Sequence, residues 1–205
     1  MHLLEENYEL MNLNLSPSFI EIYDKALSSK ECNILISQFE SHPNKIGGRV
    51  FTNGVRTIDK DVKDSLEIND PSFSDPTIIT SIISTSLNKC FTKYKKKYSA
   101  LNDYVFNHLE YYNFYTFKKF DGKNGGFKEW HCEHGMNDEM SKRVLVWSFY
   151  LNDCSGTDFM YYPNVSGKEG RCVIFPASFN YMHKSAPNKG IKYYVSGWIN
   201  YRGKL

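Results

Sequence analysis

The sequence predicts an α+β chain, mainly β, with its helices first and its β core second. Helical apolar periodicity is confined to the first half, and from Tyr104 onward short strand-like runs recur with turn residues between them. The 15 Tyr and 14 Phe add to this, because aromatic side chains favour strands and a broad, lined interior.

Taken in order, FIEIY at 19–23 alternates as a short strand. Ser28 and Glu31 form a capping-box pattern ahead of Cys32, Leu35, Ile36 and Phe39, whose spacing is one face of a helix. Asp75 as N-cap with Pro76 in the first turn opens a second helix, with Ile79, Ile82, Ile83, Leu87, Cys90 and Tyr94 along one side. Both stripes are packing faces. KYKKKY at 93–98 closes the second helix, where lysines oppose the negative end of the helix dipole and stay solvated. YVFNHLEYYNFYTF then leads to a turn at DGKNGG (121–126). RVLVWSFYLND (143–153), GTDFMYYP, a turn at GKEG (167–170), RCVIFP (171–176), YMH (181–183) and IKYYVSGWINY (191–201) follow, the spacing of an all-β sandwich or barrel.

At 205 residues with no repeat and no low-complexity linker, one domain spanning 1–205 is expected, helix-rich over 17–103 and β over 104–202. The five cysteines are odd in number and scattered, with no C-x-x-C pair, which argues against a disulfide framework or a zinc ribbon and suits reduced thiols in the cytoplasm. MHLLEENYELMNLN carries acids early and lacks an apolar core, so no signal peptide is expected, and no run reaches membrane-spanning length. A net charge of +2 without a clustered basic face disfavours a nucleic-acid partner.

The chemistry concentrates in WHCEHG, 130–135. In a helix His131 and His134 would share a face; in an extended chain His131 and Glu133 share one, with Cys132 and His134 on the other. The glycines at 125, 126 and 135 and the aromatic run upstream favour the extended form, which pairs His131 with Glu133. Taken alone, such a pair is an accidental polar pair in many proteins. As two ligands of one metal it needs a third, and His183 lies in a strand-like segment 52 residues downstream. Two histidines and one carboxylate form the facial set of non-haem Fe(II) oxygenases, whereas zinc usually takes four protein ligands, or water with a general base in a hydrolase. In the last strand Lys192, Tyr194, Ser196 and Trp198 share one face. An enclosed lysine is costly unless it meets an anion, so Lys192, nine residues after His183, is a candidate for the carboxylate of a metal-bound ligand. Tyr150 and Ser148 share a face of RVLVWSFYL, and the Tyr150 hydroxyl is a second candidate donor.

The order H-x-E, H, K, S-x-W, within WHCEHG, RVLVWSFYLND, SGTDF, KEGRCVIFPASF, YMHKSAP and IKYYVSGWI, resembles the 2-oxoglutarate- and Fe(II)-dependent dioxygenases, in particular the prolyl 4-hydroxylase-like branch with bacterial and phage members. The resemblance covers about 17–202, including FIEIYDKALSSKECNILISQFE and DVKDSLEI. It implies a double-stranded β-helix, the cupin-like jelly roll, with supporting N-terminal helices. It implies Fe(II) and 2-oxoglutarate as cofactors, with ascorbate as an optional third. His131, Glu133 and His183 match the iron ligands. Lys192 matches the residue that binds the distal carboxylate, helped by Tyr150 and Ser196, with Trp198 lining the pocket. Arg143, Trp130 and Arg56 are the candidates for substrate contact. The implied reaction is hydroxylation of an unactivated C–H, a peptidyl proline or other protein side chain by default, with small-molecule hydroxylation as the alternative and O2 consumed. Two features depart from the pattern. Glu133 stands where prolyl hydroxylases usually have aspartate, and the upstream strand reads FKKF (117–120) where relatives often place a cofactor-contacting tyrosine, so either Tyr115 substitutes or that contact is absent. A jelly-roll binding module without turnover and a zinc hydrolase using the same three ligands are the competing readings.

Overall fold

The structure is a computed structural model that describes residues 17–52, 55–69, 76–103, 106 and 109–201. In chain order, strand β1 is Glu21–Tyr23 and helix α1 is Ser29–Ser41. Short strands β2 (Ile46–Gly47), β3 (Val50–Thr52), β4 (Val55–Thr57), β5 (Lys63–Asp64) and β6 (Leu66–Ile68) precede helix α2, Pro76–Lys97. The β-rich half comprises β7 (Leu109–Phe120), β8 (Gly126–Phe127), β9 (Arg143–Tyr150), β10 (Cys154–Phe159), β11 (Val165–Gly167), β12 (Cys172–Pro176), β13 (His183–Ser185) and β14 (Lys192–Tyr201).

Among the described residues the strands form a seven-stranded antiparallel sheet in the order β1-β12-β9-β14-β7-β6-β2, a three-stranded sheet β11-β10-β13, and the two pairs β3-β4 and β5-β8. The period-2 alternation of β9 decides how these layers stack. Leu145, Trp147 and Phe149 point to one face, where they join Leu35 and Phe39 of α1 and Ile79, Ile83 and Leu87 of α2 in one buried cluster. Val146 and Tyr150 point to the other, where they meet Phe159 and Val165 of the small sheet. The large sheet is therefore covered by helices on one side and by the small sheet on the other, and the second space is where a site can open.

The helices form where the sequence places them. Ser28 caps α1 in extended geometry: its hydroxyl accepts from the Glu31 N–H, and the Glu31 carboxylate accepts from the Ser28 N–H at 2.8 Å. Cys32, Leu35 and Phe39 are buried while Ile36 is half-buried against the same cluster. In α2 Ile79, Ile83, Leu87, Cys90 and Tyr94 are buried, Ile82 packs at the margin, and the expected N-cap Asp75 lies outside the described residues. YMH is only partly a strand, since Phe179–Tyr181 is a 3-10 turn and β13 begins at His183. Among the described residues no helix is long and apolar enough to cross a membrane. Removing the cap with Ser28→Ala should cost about 1 kcal/mol, read as a lower urea midpoint at unchanged slope; an unchanged midpoint would show that the capping box adds no stability.

Candidate active site

WHCEHG is an extended connection with a single bridge, and that bridge positions the site. The His131 N–H donates to the His183 carbonyl at 3.1 Å and the His183 N–H donates back at 2.8 Å, so the two histidines are directly opposed across an antiparallel pair. Their rings lie 4.4 Å apart. The chain then turns inward, because the Glu133 and His134 N–H groups both donate to the Ala177 carbonyl, at 3.1 and 2.9 Å.

Each imidazole is fixed by its own backbone. Nδ1 of His131 lies 3.0 Å from the Glu129 carbonyl, and Nδ1 of His183 lies 2.9 Å from the Tyr181 carbonyl. A carbonyl only accepts, so each Nδ1 carries the proton and each Nε2 presents a lone pair. Those two nitrogens lie 3.8 and 3.9 Å from Oε1 of Glu133, and the three ligand atoms fall within 4.8 Å of one another. The other carboxylate oxygen is occupied: Oε2 accepts from Arg143 Nη1 at 3.0 Å and from Trp198 Nε1 at 3.1 Å. Arg143 stacks on the Trp198 ring at 3.6 Å and is held by Glu139 at 2.9 Å. One oxygen of Glu133 is thus clamped and the other aimed at the histidines, which places the longer arm of glutamate where an aspartate would be expected.

The electrostatics favour a deprotonated ligand set. Burial pushes His131 down to about 3, with His183 adding to the shift and Glu133 opposing it. Burial lowers His183 as well. Burial raises Glu133, but His131, His183, Lys118 and Arg143 outweigh it and hold the carboxyl down to about 2. Neutral imidazoles and an ionised carboxylate are the forms that bind a divalent metal, so these three residues could hold one.

The ligand atoms face a cavity of about 420 Å³ whose walls include Lys192, Ser196 and Trp198 as the sequence predicts. Lys192 is 2% exposed. Its ammonium donates to the Gly156 carbonyl at 2.7 Å and sits among the rings of Phe120, Tyr150 and Tyr194, 5.3, 5.3 and 4.9 Å from their centres. Gly156 has φ +93°, and a Cβ there would come 1.9 Å from the Val165 carbonyl oxygen, so this acceptor requires glycine. No carboxylate pairs with Lys192 among the described residues, and burial pushes its pKa down to about 8.

The remaining candidates divide. Ser196 is buried and accepts from Lys118 Nζ at 2.9 Å. Tyr150 forms the floor beneath Lys192 and is not a cavity wall; its hydroxyl shares a 2.6 Å hydrogen bond with Thr157, which does line the cavity. Arg143 reaches the cavity as the clamp on Glu133, and Arg56 stands at the mouth paired with Glu139 at 3.2 Å. Trp130 lies outside the walls and carries Lys184 over its ring at 4.6 Å. Tyr115 does not substitute for the absent tyrosine, because it is buried in the helix-facing cluster with its hydroxyl 3.4 Å from Thr80. His134 is exposed, whereas Cys132, expected on its side of the chain, lines the cavity, because WHCEHG bends at Glu133 after a single bridge and does not keep strand alternation. Lys118, Thr157 and Tyr194 are among the wall residues that the sequence reading did not place in the site. Tyr194 could have been chosen, since it lies between Lys192 and Ser196 on the same face; Lys118 needed the β7–β14 register, which sets it opposite Tyr194.

The sequence matches no protein-family profile and no curated protein, whereas solved structures match along nearly all of it. A prolyl hydroxylase from Trichoplax adhaerens in complex with a hypoxia inducible factor oxygen degradation domain peptide fragment superposes with a TM-score of 0.69 at 14% identity, covering 98% of this chain and 93% of that one. A Pseudomonas putida prolyl-4-hydroxylase gives 0.61 at 15% identity, over 93% and 96%. The viral collagen prolyl hydroxylase of Paramecium bursaria Chlorella virus-1, in its 2OG complex, gives 0.60 at 16% identity, over 90% and 97%. The fold is the one these three solved prolyl hydroxylases share, a jelly-roll core with two helices packed on the large sheet.

Lys118 and Lys192 give the site a measurable pH signature. Burial lowers both from 10.5 to about 8. Between those values these lysines hold more protons in the unfolded chain than in the folded one, so their contribution to stability should rise with pH across the window. Buried tyrosines such as Tyr94, which resist ionisation in the folded state, act in the opposite sense above their ordinary 10.0. The buried thiols of Cys32, Cys154 and Cys172, raised above their ordinary 9.0, act in that opposite sense within the window itself. The lysine contribution is therefore read as a difference: from about pH 8 to about pH 9.5 the urea midpoint of the parent should gain on that of Lys192→Met, and a constant difference would contradict the burial of this ammonium group.

Proposed function

We propose that the protein is an Fe(II)- and 2-oxoglutarate-dependent dioxygenase that hydroxylates an unactivated C–H bond of a peptidyl proline or another protein side chain, releasing succinate and CO2. One observation supports this reading above the rest: a two-histidine, one-carboxylate set with free ligand atoms and a buried ammonium without a carboxylate share one cavity. His131, Glu133 and His183 would hold iron and leave its cavity-facing positions open. Lys192 would receive the distal carboxylate of 2-oxoglutarate, with Thr157, Tyr194 and Ser196 as polar neighbours. Bound there, iron and 2-oxoglutarate supply the oxidation that couples O2 to hydroxylation of the substrate.

The chain's own part is orientation, charge and exclusion of water. The Nδ1–carbonyl hydrogen bonds hold both imidazoles at fixed tilt, and Arg143 with Trp198 fixes Glu133. The aromatic floor under Lys192 keeps water from an ion pair formed there, which strengthens it. A zinc hydrolase built on the same three ligands would leave Lys192 without a role. Peptide substrates are supported by the likeness to the Trichoplax enzyme, whose structure holds a peptide.

The direct test is succinate formation from 2-oxoglutarate by the Fe(II)-loaded protein, with peptides screened for the gain of one oxygen atom. His183→Ala should lose both iron retention and succinate formation, while His134→Ala keeps the iron stoichiometry. Lys192→Ala should weaken 2-oxoglutarate roughly a hundredfold with metal affinity nearly unchanged, as expected when one partner of a buried charge pair is truncated. Zinc copurification with indifference to 2-oxoglutarate would overturn the reading.

A further inference from the structure

We infer that the substrate of this cavity is an acidic peptide whose carboxylate, close to the oxidised C–H, is received by Lys118. This rests on the dioxygenase reading and names the substrate class that the reading leaves open.

The walls carry seven basic residues against three acids among the described residues. All three acids already have partners. Glu67 pairs with Lys63 at 2.6 Å, Glu133 with Arg143 at 3.0 Å, and Glu139 with Arg143 and Arg56 at 2.9 and 3.2 Å. The other four basic residues, Arg49, Lys118, Lys184 and Lys192, have no carboxylate partner among the described residues. 2-Oxoglutarate does not absorb this excess, because its two negative charges are matched by the two positive charges of the metal ion. With both bound, the walls keep their surplus positive charge, and a second ligand of negative charge is the one they attract.

Lys118 is the inner point of that surplus. It lies on β7 between Glu67 of β6 and Tyr194 of β14, and Glu67 is already engaged by Lys63. Its ammonium donates to Ser196, two residues along β14 from Tyr194 toward Trp198, the residue that holds Glu133. Lys118 thus leans toward the metal ligands and away from Lys192, which sits opposite Phe120 at the other end of this stretch. A hydroxyl is a weak stand-in for an anion beside a partly buried ammonium.

The mouth points to a peptide rather than a small anion. Arg49 is exposed there, and Phe51, a wall residue of β3, is 54% exposed. Phe51 pairs with the wall residue Arg56 across the β3–β4 hairpin, and half-buried Ile46 lines the same cavity. Apolar side chains interleaved with cations suit a chain that carries acids beside apolar residues, whereas a lone small carboxylate would leave them bare.

The test uses the full chain loaded with Mn(II) and 2-oxoglutarate, and three short capped peptides with a central proline flanked by glutamate, glutamine or lysine. The glutamate peptide should bind roughly tenfold tighter than the glutamine peptide, and the lysine peptide weakest. Lys118→Gln should erase most of that preference and leave 2-oxoglutarate affinity within about twofold, while Arg49→Gln, at an exposed position, should slow association of the glutamate peptide about threefold. Equal binding of the glutamate and glutamine peptides, or binding of neither, overturns the inference. So does a Lys118→Gln protein that loses 2-oxoglutarate rather than peptide, which would make Lys118 a cosubstrate anchor. Failure of the parent protein to bind 2-oxoglutarate without any peptide removes the dioxygenase reading itself, and is distinguished from the other outcomes by that arm alone.

Discussion

The reciprocal backbone bridge between His131 and His183 is the interaction on which the site depends. These residues are 52 positions apart, and two N–H···O bonds of 3.1 and 2.8 Å set them opposite each other. Everything local follows from that pairing. Each ring takes its proton direction from a carbonyl two residues upstream, so that carbonyl fixes the tautomer of nitrogens whose positions the bridge sets. Glu133 completes the set because the Ala177 carbonyl accepts from its N–H and from that of His134 and turns the chain toward Arg143 and Trp198.

The second constraint is the enclosure of Lys192. A buried ammonium without a counter-ion costs stability, and here the cost falls within a sheet interior otherwise closed by Val146, Phe159, Val173 and Phe175. The surroundings offset part of it through the Gly156 carbonyl and three aromatic faces. What remains is relieved by an anion. Stability and binding are therefore opposed in the free protein and aligned in the occupied one, a common arrangement at sites that bind charged ligands.

Much of this was legible in the sequence, for reasons that differ by element. The capping box of α1 and the apolar stripes of both helices are local, so Ser28, Leu35, Phe39, Ile79 and Ile83 could be placed without knowing what they touch. Parity along an extended chain paired His131 with Glu133 and separated Lys192 and Ser196 from Tyr193 and Val195, but it misplaced Cys132, which lines the cavity because the chain bends at Glu133. Parity holds on β7, but aromatic residues occupy both faces and hide which one meets the cavity: Tyr115 and Phe117 turn to the helices, while Thr116, Lys118 and Phe120 line the cavity. Tyr150 has the expected phase, but its hydroxyl is taken by Thr157 on another strand, a partner that no local pattern reveals. Lys118 looked like one of many lysines; only the register with β6 and β14 makes it a wall residue.

The central claim is that one cavity holds a metal on His131, Glu133 and His183 and a dicarboxylate reaching from that metal to Lys192. Anaerobic titration of the protein with Fe(II) and 2-oxoglutarate, followed by visible absorption, tests it most directly. The account predicts a new band that requires both components, saturates at one equivalent of each, and in Lys192→Ala demands far more 2-oxoglutarate at the same Fe(II) affinity. Fe(II) binding that is indifferent to 2-oxoglutarate, or a band equally strong in His183→Ala, would contradict it.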